Sequence, residues 1–435
     1  MRTKFPRRQA LVGVAVASLM SVGLAACGGG GGSGSDSNTV TVWSSTDPLV
    51  FAGLKKEIVA EAKKEGITVD MQRVSDINTL IMTKIQAGDT PDIAMIPQPG
   101  VVADVVKRGA AKPLDSVVDV NALKSTMTPG TLDAGMVNGK LYGLLVSMNI
   151  KSIVYYPKQA WAKGGYKVPK TIPELEQLTS QIKSDGIKPW CFAMGSGDAT
   201  GWPATDWVEQ LVADYGGADT YQKWVTHGIP FNDPVVKQAA TEFEKLVLAD
   251  GNSAPTRSGM ASTDFSKADD PMWDTPPGCM MLKQGNFIIS PDFLPANIAN
   301  NVDQNIGVFG FPPATAGGES PVTGGGDLAV MMNDSSQTQK VMKIMANKQV
   351  GVQAAPSSSF ISPFTDFDMS LYPNDLTRKT ADVAYKSSTF LFDGSDVMPG
   401  EVGAGTFWKD MTAWISGGED LDTALKNIND SWPTS

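Results

Sequence analysis

The sequence predicts an α/β protein built from two lobes. From residue 40 onward, short β-rich runs alternate with segments of helical spacing, which is the rhythm of a parallel sheet covered by helices. The chain has 435 residues, and the length that follows its N-terminal segment suits two lobes better than one. A hydrophobic fraction of 42% is enough for a sizeable core.

Residues 1–26 have the features of a lipoprotein signal peptide. Four basic residues within the first eight positions precede an apolar run, residues 10–20, that is too short to span a membrane comfortably. Two alanines, Cys27 and a row of glycines follow. This order resembles the bacterial lipobox, in which the cysteine is acylated and becomes the first residue of the mature protein. An ordinary signal peptide with an incidental cysteine is the alternative interpretation.

Residues 27–38 predict a flexible tether, because their glycine- and serine-rich composition cannot bury a core. Later in the sequence no apolar run is long enough for a second membrane segment. We therefore expect the protein at the cell membrane, lipid-anchored on its extracytoplasmic face. Two acyl chains would hold it there stably.

The charge of the mature chain excludes several classes of partner. Removing the four basic residues of the signal peptide from the total of 36 leaves 32 lysines and arginines against 46 acidic residues, a net charge of −14. Such a body is not expected to bind nucleic acid or anionic lipid surfaces. The single histidine, His227, rules out a multi-histidine metal site and is expected to cap a helix. We expect neither a metal nor a cofactor.

Two cysteines remain after Cys27 is assigned to lipid. Cys191 and Cys279 form an even pair in an oxidising compartment, which predicts a disulfide. Two separate buried thiols are the alternative, since spacing alone cannot establish a bridge.

The elements follow one another in a regular order. Strands are predicted at residues 40–43, 67–71, 92–96, 153–156, 306–309 and 328–332, and helices at residues 54–64, 77–87, 172–184, 207–215, 235–249, 338–346, 406–415 and 421–428. The first three strands and two helices form a β-α-β-α-β unit, which implies a parallel sheet. Functional loops gather at the carboxyl ends of such strands, here residues 43–47 and 97–99.

Several segments together resemble the family 1 extracellular solute-binding proteins of carbohydrate ABC importers, of which the maltose-binding protein is the familiar member. The resemblance covers nearly the whole mature chain and is carried by AGDTPDI (87–93), KLYGL (140–144) and SIVYYPK (152–158). Leu145 stands where proline is common in the family. The segments most like the α-glucoside-binding branch are GWPATDW (201–207), PPGC (276–279), GGGDLAV (324–330) and GTFW (405–408).

The resemblance implies a two-lobed periplasmic-binding-protein-like fold with a hinge and an interlobe ligand cleft. Both lobes would be discontinuous: residues 39–155 and 312–358 in lobe 1, and residues 156–311 and 359–435 in lobe 2. It further implies a monomer that captures a sugar, an α-glucoside or oligosaccharide, without catalysis. The cargo would pass to the transmembrane subunits of an ABC permease.

A sugar presents apolar C–H faces and a belt of hydroxyls, which suit aromatic rings and carboxylates or amides respectively. The resemblance and these chemical needs select as ligand-binding candidates Ser45, Asp47, Asp76, Gln98, Trp202, Asp206, Phe287, Asp327 and Trp408. Some have structural alternatives. Trp408 and Phe287 could belong to the core, Asp206 could cap the helix that follows it, and Asp327 could cap a tight turn after three glycines.

Two other functions compete with sugar capture. One is a binding protein for a non-sugar solute, such as a peptide or a polyol. The other is an anchored glycoside hydrolase, which needs two carboxylates roughly 5–10 Å apart. The sequence is rich in acids and does not exclude such a pair, but it carries no hydrolase signature.

Replacing Cys27 with serine should release the protein from the membrane, because the variant lacks the thiol that is acylated. Detergent phase partitioning followed by immunoblotting measures this, with Ser33→Ala in the tether as a control that keeps the thiol. Lipid-phase partitioning of the Cys27→Ser protein would contradict the anchor.

Overall fold

The computed structural model describes Asn38–Pro433. The signal peptide, Cys27 and nearly all of the tether lie outside the described residues and stay predictions. Between residues 38 and 433, none of the helices combines the length and the apolar character needed to cross a membrane.

Strands and helices alternate along most of the chain. The strands are β1 (Thr39–Ser44), β2 (Thr68–Arg73), β3 (Ile93–Ile96), β4 (Met136–Val137), β5 (Lys140–Leu141), β6 (Gly143–Ile150), β7 (Ile153–Pro157), β8 (Lys188–Cys191), β9 (Ser253–Ala254), β10 (Cys279–Lys283), β11 (Ile306–Gly310), β12 (Val322–Met331) and β13 (Phe390–Phe392). The helices are α1 (Pro48–Lys64), α2 (Ile77–Ala87), α3 (Pro99–Lys107), α4 (Val120–Thr126), α5 (Lys158–Gly164), α6 (Ile172–Ser184), α7 (Trp202–Val225), α8 (Pro234–Phe243), α9 (Ala296–Ala299), α10 (Val302–Asn305), α11 (Ser336–Met345), α12 (Asp375–Tyr385), α13 (Gly394–Val397), α14 (Trp408–Ile415) and α15 (Leu421–Asp430).

The first lobe is built on a six-stranded sheet. Its order is β13-β12-β3-β1-β2, and β6 also pairs with β12. Strand β1 runs parallel to both β2 and β3, so the predicted β-α-β-α-β unit is confirmed. Strand β12 is antiparallel to β3 and β6, which makes the complete sheet mixed.

The second lobe is built on a five-stranded sheet of order β11-β7-β10-β8-β9. Here β7 is antiparallel to β10 and β11, while β8 runs parallel to β9 and β10. The chain crosses from the first sheet to the second through Lys151 and Ser152, the only residues between β6 and β7. Backbone bonds from Lys151 to Thr323 and from Phe311 to Ser152 tie this crossing to the return segment. The α/β two-lobed fold class is therefore confirmed.

Capping side chains set the helix boundaries. Helix α2 has the predicted bounds because Asp76 accepts a hydrogen bond from the amide of Thr79 and Gly88 ends the helix at a φ of 68°. Helix α1 begins six residues before the predicted start, since Asp47 caps it and Pro48 occupies its first turn. Helix α7 likewise begins earlier than predicted, at Trp202.

The three glycines before Asp327 lie inside a strand, so the alternative of a tight turn at this point is wrong. Strand β12 begins at Val322 and pairs with β6 through all three glycines. A Cβ atom at Gly324 would lie 2.1 Å from the carbonyl oxygen of Asn149, and one at Gly326 would lie 2.0 Å from that of Ser147. Glycine is needed because the two backbones approach too closely for any side chain.

Residues 359–435 do not pack with one lobe alone, in contrast to the predicted division. Ile361 forms a β-bridge with Met148 of β6, and β13 pairs with β12 in the first sheet. The segment from Met398 to Ile428 instead packs in the core of the second lobe. We propose that the division between the lobes falls near Asp393 rather than at residue 359.

Cys191 and Cys279 are joined by a disulfide, with their Cα atoms 5.3 Å apart. The bridge links the end of β8 to the start of β10, two neighbouring parallel strands of the second sheet. It closes a loop with a sequence separation of 88 residues. The fold thus places the only two cysteines of the described residues in one covalent link within the second lobe.

Replacing both cysteines with serine should lower the free energy of unfolding by roughly 2–5 kcal/mol, because the reduced unfolded chain has more conformational freedom. Urea unfolding followed by tryptophan fluorescence measures the change. The matched control is the wild-type protein with dithiothreitol, which should lose a similar amount. Equal stability of all three samples would contradict a structural disulfide.

Candidate functional site

A cavity of about 400 Å³ opens where β1 and β3 end. Carboxyl ends of parallel strands are the usual position of binding sites in such sheets. The cavity is lined by Ser45, Thr46, Asp47, Pro48, Val50, Arg73, Pro97, Ser147, Asn149, Phe287, Phe293, Gly326, Asp327 and Ser359. We call it the cleft cavity. Four of the predicted ligand-binding residues, Ser45, Asp47, Phe287 and Asp327, line it together.

One wall of the cleft cavity is aromatic: Phe287 and Phe293 line it, and Trp202 and Phe265 pack against Phe287 outside the lining. The ring centroid of Phe287 lies 5.9 Å from that of Trp202, and Phe265 packs edge-on against Trp202 at 5.0 Å. The buried side chain of Asn286 fixes this wall, because it accepts a bond of 2.6 Å from the amide of Ile150 and donates one of 2.7 Å to the carbonyl of Ser359. Phe287 itself is only partly buried, so its ring is available to a ligand.

The lining of the cleft cavity also includes carboxylates. Asp327 on β12 is 6% exposed, and burial raises its pKa to about 6 even though Thr46 and Ser147 donate hydrogen bonds that lower it. Asp47 caps α1 through the amides of Leu49 and Val50 and remains partly exposed. A carboxylate whose ordinary hydration has been removed accepts strong hydrogen bonds from hydroxyl groups.

A second group of polar residues lies at the crossing between the lobes. Its members are Lys151, Asp206, Glu209, Asp393 and Asp396, which we call the hinge cluster. The ammonium of Lys151 lies 2.8 Å from a carboxylate oxygen of Asp206 and also forms an ion pair with Asp393. Oxygens of Asp206, Glu209 and Asp393 lie within 4.8 Å of one another. Asp206 is inside α7, so the proposal that it caps a helix is wrong.

Burial and mutual repulsion shift the titration of the hinge cluster. Burial raises the pKa of Asp206 to about 7 and that of Asp396 to about 8, and the charge of Asp393 adds to both effects. Burial also raises the pKa of Glu209 well above its ordinary value. Burial opposes ionisation of Asp393 too, but Lys151 and its hydrogen-bonding neighbours outweigh that effect and hold its pKa below the ordinary range. Asp393 is therefore the ionised partner of Lys151.

The hinge cluster extends to two more predicted residues. The amide of Gln98 donates to Asp396 at 2.9 Å, and the indole nitrogen of Trp408 donates to the hydroxyl of Ser395 at 3.3 Å. Trp408 is partly buried, whereas its neighbours along the helix, Phe407 and Met411, are fully buried. Phe407 and Met411 therefore belong to the core, which was the alternative role considered for Trp408, whereas Trp408 itself is partly exposed.

Backbone contact brings the two tryptophans of the site together. Gly201 has a φ of 117°, and a Cβ atom there would lie 2.4 Å from the carbonyl oxygen of Trp408. Only glycine permits this approach, which sets the start of α7 against the start of α14. Trp202 also touches the hinge cluster, because its ring lies 5.0 Å from the ammonium of Lys151. The aromatic wall of the cleft cavity and the hinge cluster are therefore continuous.

One candidate lies apart from the others. Asp76 caps α2, is exposed, and is not among the residues that line the cleft cavity. Sequence reasoning also missed Lys151, Asp393, Asn149 and Arg73. Of these four residues, only Lys151 could have been found from the sequence. It lies between two apolar β-runs, and a lysine that is buried there needs an acidic partner.

The fold matches known solute receptors. The bacterial solute receptor AcbH, described as having an exclusive preference for β-D-galactopyranose, superposes with a TM-score of 0.74 at 16% identity, over 90% of this chain and 98% of that one. A chitin oligosaccharide binding protein superposes with a TM-score of 0.73 at 18% identity, over 91% of this chain and 98% of that one. At these identities the similarity concerns the fold alone. What these structures share with this chain is the two-lobed α/β fold.

The chain belongs to the bacterial extracellular solute-binding proteins, whose family pattern matches residues 48–350. It is 35% identical over 389 residues to the osmoprotective compounds-binding protein GgtB of Synechocystis sp., covering 88% of this chain and 91% of that one. It is 33% identical over 398 residues to the alpha-glucosides-binding periplasmic protein AglE of Rhizobium meliloti, covering 90% and 85% respectively. The family binds solutes and does not catalyse reactions, so the chain is not an enzyme.

Asp327→Asn should stabilise the ligand-free protein above pH 6. Burial raises the pKa of Asp327 to about 6 in the folded chain, whereas an unfolded aspartate titrates near pH 4. The folded state therefore binds the proton more tightly, and this residue's contribution to stability falls as the pH rises from about 4 to about 6. At pH 7 the ionised group costs up to about 3 kcal/mol, which asparagine avoids.

Urea unfolding at pH 4.5 and at pH 7.5 measures this effect. The stabilisation by Asp327→Asn should be larger at pH 7.5. The exposed Asp198→Asn variant is the control and should show little change at either pH. The stability difference between pH 4.5 and pH 7.5 should be smaller in a protein without this carboxyl group. If the wild type and Asp327→Asn showed the same difference, the role of burial would be refuted.

Proposed function

We propose that this protein captures a sugar, an α-glucoside or a short oligosaccharide, in the cleft cavity and delivers it to a membrane permease of an ABC importer. The observation that carries the proposal is the pairing of the aromatic rings of Phe287 and Phe293 with buried and half-buried acceptors in one cavity. Phe287 offers a ring face to apolar C–H groups, and Trp202, packed against Phe287, would extend this surface for a longer ligand. Asp327 and Asp47 offer oxygens to hydroxyl groups.

The size and charge of the site support a small neutral ligand. A volume of about 400 Å³ lies near the lower end of the range for ligand pockets. The cavity lining includes one cation, Arg73, whose guanidinium already donates to the carbonyl of Thr46 at 2.9 Å. The lining therefore has carboxylates but no excess of positive charge. Such a lining favours a ligand with hydroxyl donors and disfavours an anionic one.

The relatives support the same ligand class. The relative whose name describes α-glucoside binding is 33% identical over 90% of this chain. A further relative, the multiple sugar-binding protein of Streptococcus mutans, is 26% identical over 79% of this chain. Binding would draw the two lobes together, because a ligand that contacts both lobes shifts the hinge equilibrium toward closure.

A second candidate is a small polyol or other osmoprotective solute. It is favoured by the relative named for osmoprotective compounds, which is 35% identical over 88% of this chain. Such a solute shares the neutral hydroxyl chemistry of a sugar, so the same carboxylates would serve it. It would use less of the aromatic wall, and this difference separates the two candidates.

Calorimetric titration should separate the candidates directly. The panel comprises glucose, galactose, maltose, sucrose, trehalose, maltotriose, sorbitol, glycerol and glycine betaine. We expect the tightest binding from an α-linked disaccharide, without release of glucose. Response to sorbitol, glycerol or glycine betaine alone would support the second candidate. No response to any carbohydrate would overturn the sugar proposal.

Trp202→Ala and Trp408→Ala should each weaken binding of the best disaccharide at least about tenfold, because a lost aromatic face removes both stacking and buried area. The matched control is Trp432→Ala, since Trp432 is a partly exposed tryptophan that stacks on His227 at the far end of the chain. If the three variants had equal affinity, neither Trp202 nor Trp408 would belong to the site.

A further inference from the structure

Lys151 occupies the crossing between the two lobes with all of its donors engaged. Its side chain is 11% exposed. An ammonium has three N–H donors. Two point to the carboxylates of Asp206 and Asp393, and the ring of Trp202 lies 5.0 Å from the nitrogen. That distance is within the range of a cation–π contact, which is strong when both groups are desolvated.

The two carboxylates come from different elements, one in the second lobe and one at the division between the lobes. Asp206 belongs to α7, whose apolar side packs in the core of the second lobe. Asp393 directly follows β13, the strand that pairs with β12 in the first sheet. Lys151 itself lies between β6 and β7, the strands that carry the chain from one sheet to the other. A rotation of the lobes about this crossing therefore changes the arrangement of Lys151 with its two partners.

We propose that Lys151 is a positioning residue that couples the Trp202 ring to closure of the lobes, an inference that rests on the proposed sugar-binding function. Lys151 holds the ring in place through its positive charge and holds the two lobes together through Asp206 and Asp393. A sugar that stacks on Trp202 completes the packing around this contact. Lys151 thus raises the affinity for sugar indirectly, because its N–H donors bind protein groups rather than the sugar itself.

Lys151 could instead have only a structural role, in which its positive charge balances the buried carboxylates. Lys283 shares that role, because its ammonium donates to the carbonyl of Asp206 at 3.0 Å and its side chain is buried. Lys283 lies 5.5 Å from the ring of Trp207. Trp207 is 1% exposed and belongs to the core rather than to the site. Lys283 is therefore a matched control for the loss of a buried cation near the same carboxylates.

The test compares Lys151→Met, Lys151→Arg and Lys283→Met in the full mature chain. Maltose, sucrose and trehalose are the probes, and calorimetry gives their dissociation constants. We expect Lys151→Met to weaken binding roughly tenfold, the magnitude of a desolvated cation–π contact. Lys283→Met should weaken it less than about threefold, and Lys151→Arg should retain more of the affinity than Lys151→Met, because a guanidinium keeps the positive charge and also makes cation–π contacts. Equal losses in the two methionine variants would overturn the inference.

A spectroscopic measurement tests the coupling itself. Sugar-induced change in tryptophan fluorescence reports the ring, and small-angle X-ray scattering reports closure. Lys151→Met should reduce both signals at saturating sugar, and its effect on affinity should not add to that of Trp202→Phe. Strict additivity of the two substitutions, or full closure in Lys151→Met, would overturn the inference.

Removing Lys151 alone leaves two buried carboxylates without this cation, which is expected to lower the stability of the variant. The double variant Lys151→Met/Asp206→Asn removes one charge of each sign, and urea unfolding checks that it is folded. It should still bind roughly tenfold more weakly than Asp206→Asn alone. Equal affinities for these two proteins would overturn the inference. A wild-type protein that binds none of the three sugars would instead refute the proposed function.

Discussion

A buried cation between two carboxylates defines how the lobes meet. Removing a charged group from water is costly, and an ion pair compensates for that cost only when its geometry is good. Lys151 meets this condition by contacting Asp206 and Asp393 together. Because Asp206 lies in α7 of the second lobe and Asp393 directly follows β13 of the first sheet, the electrostatic requirement of one side chain restricts how α7 and β13 are placed relative to each other. The cleft cavity then lies beside a junction whose arrangement is already specified.

The cleft combines two kinds of side chain. Phe287 and Phe293 line it, with Trp202 of the first turn of α7 packed against Phe287, whereas oxygen acceptors come from the end of β1 and from β12. These groups belong to segments far apart in sequence, so the cleft depends on the assembled fold rather than on any one segment.

Local signals were enough to predict much of the first lobe. The bounds of α2 follow from Asp76 and Gly88, and the parallel pairing of β1 with β2 and β3 follows from alternating strands and helices. These features depend on residues close together in sequence. Chain length indicated two lobes, and the resemblance to known solute-binding proteins added the hinge and the cleft between them.

The remaining features depend on contacts between distant residues. Lys151 and Asp393 are 242 positions apart, so no local pattern indicates their ion pair. The three glycines of β12 suggested a loop because the close backbone of β6 is visible only in three dimensions. Likewise, Asp206 had the position of a helix cap, and burial beside Lys151 gave it a different role.

The glycines of β12 have a kinetic consequence. The first half of this strand borders the crossing between the lobes, and the second half, from Leu328 to Met331, is fully buried in the first core. Three residues without side chains have no rotamers to exchange when the neighbouring backbone rotates. Movement at this end of the strand therefore involves little repacking, while the apolar end stays anchored. Exchange of side-chain rotamers in β12 therefore adds little to the cost of a movement at the crossing between the lobes.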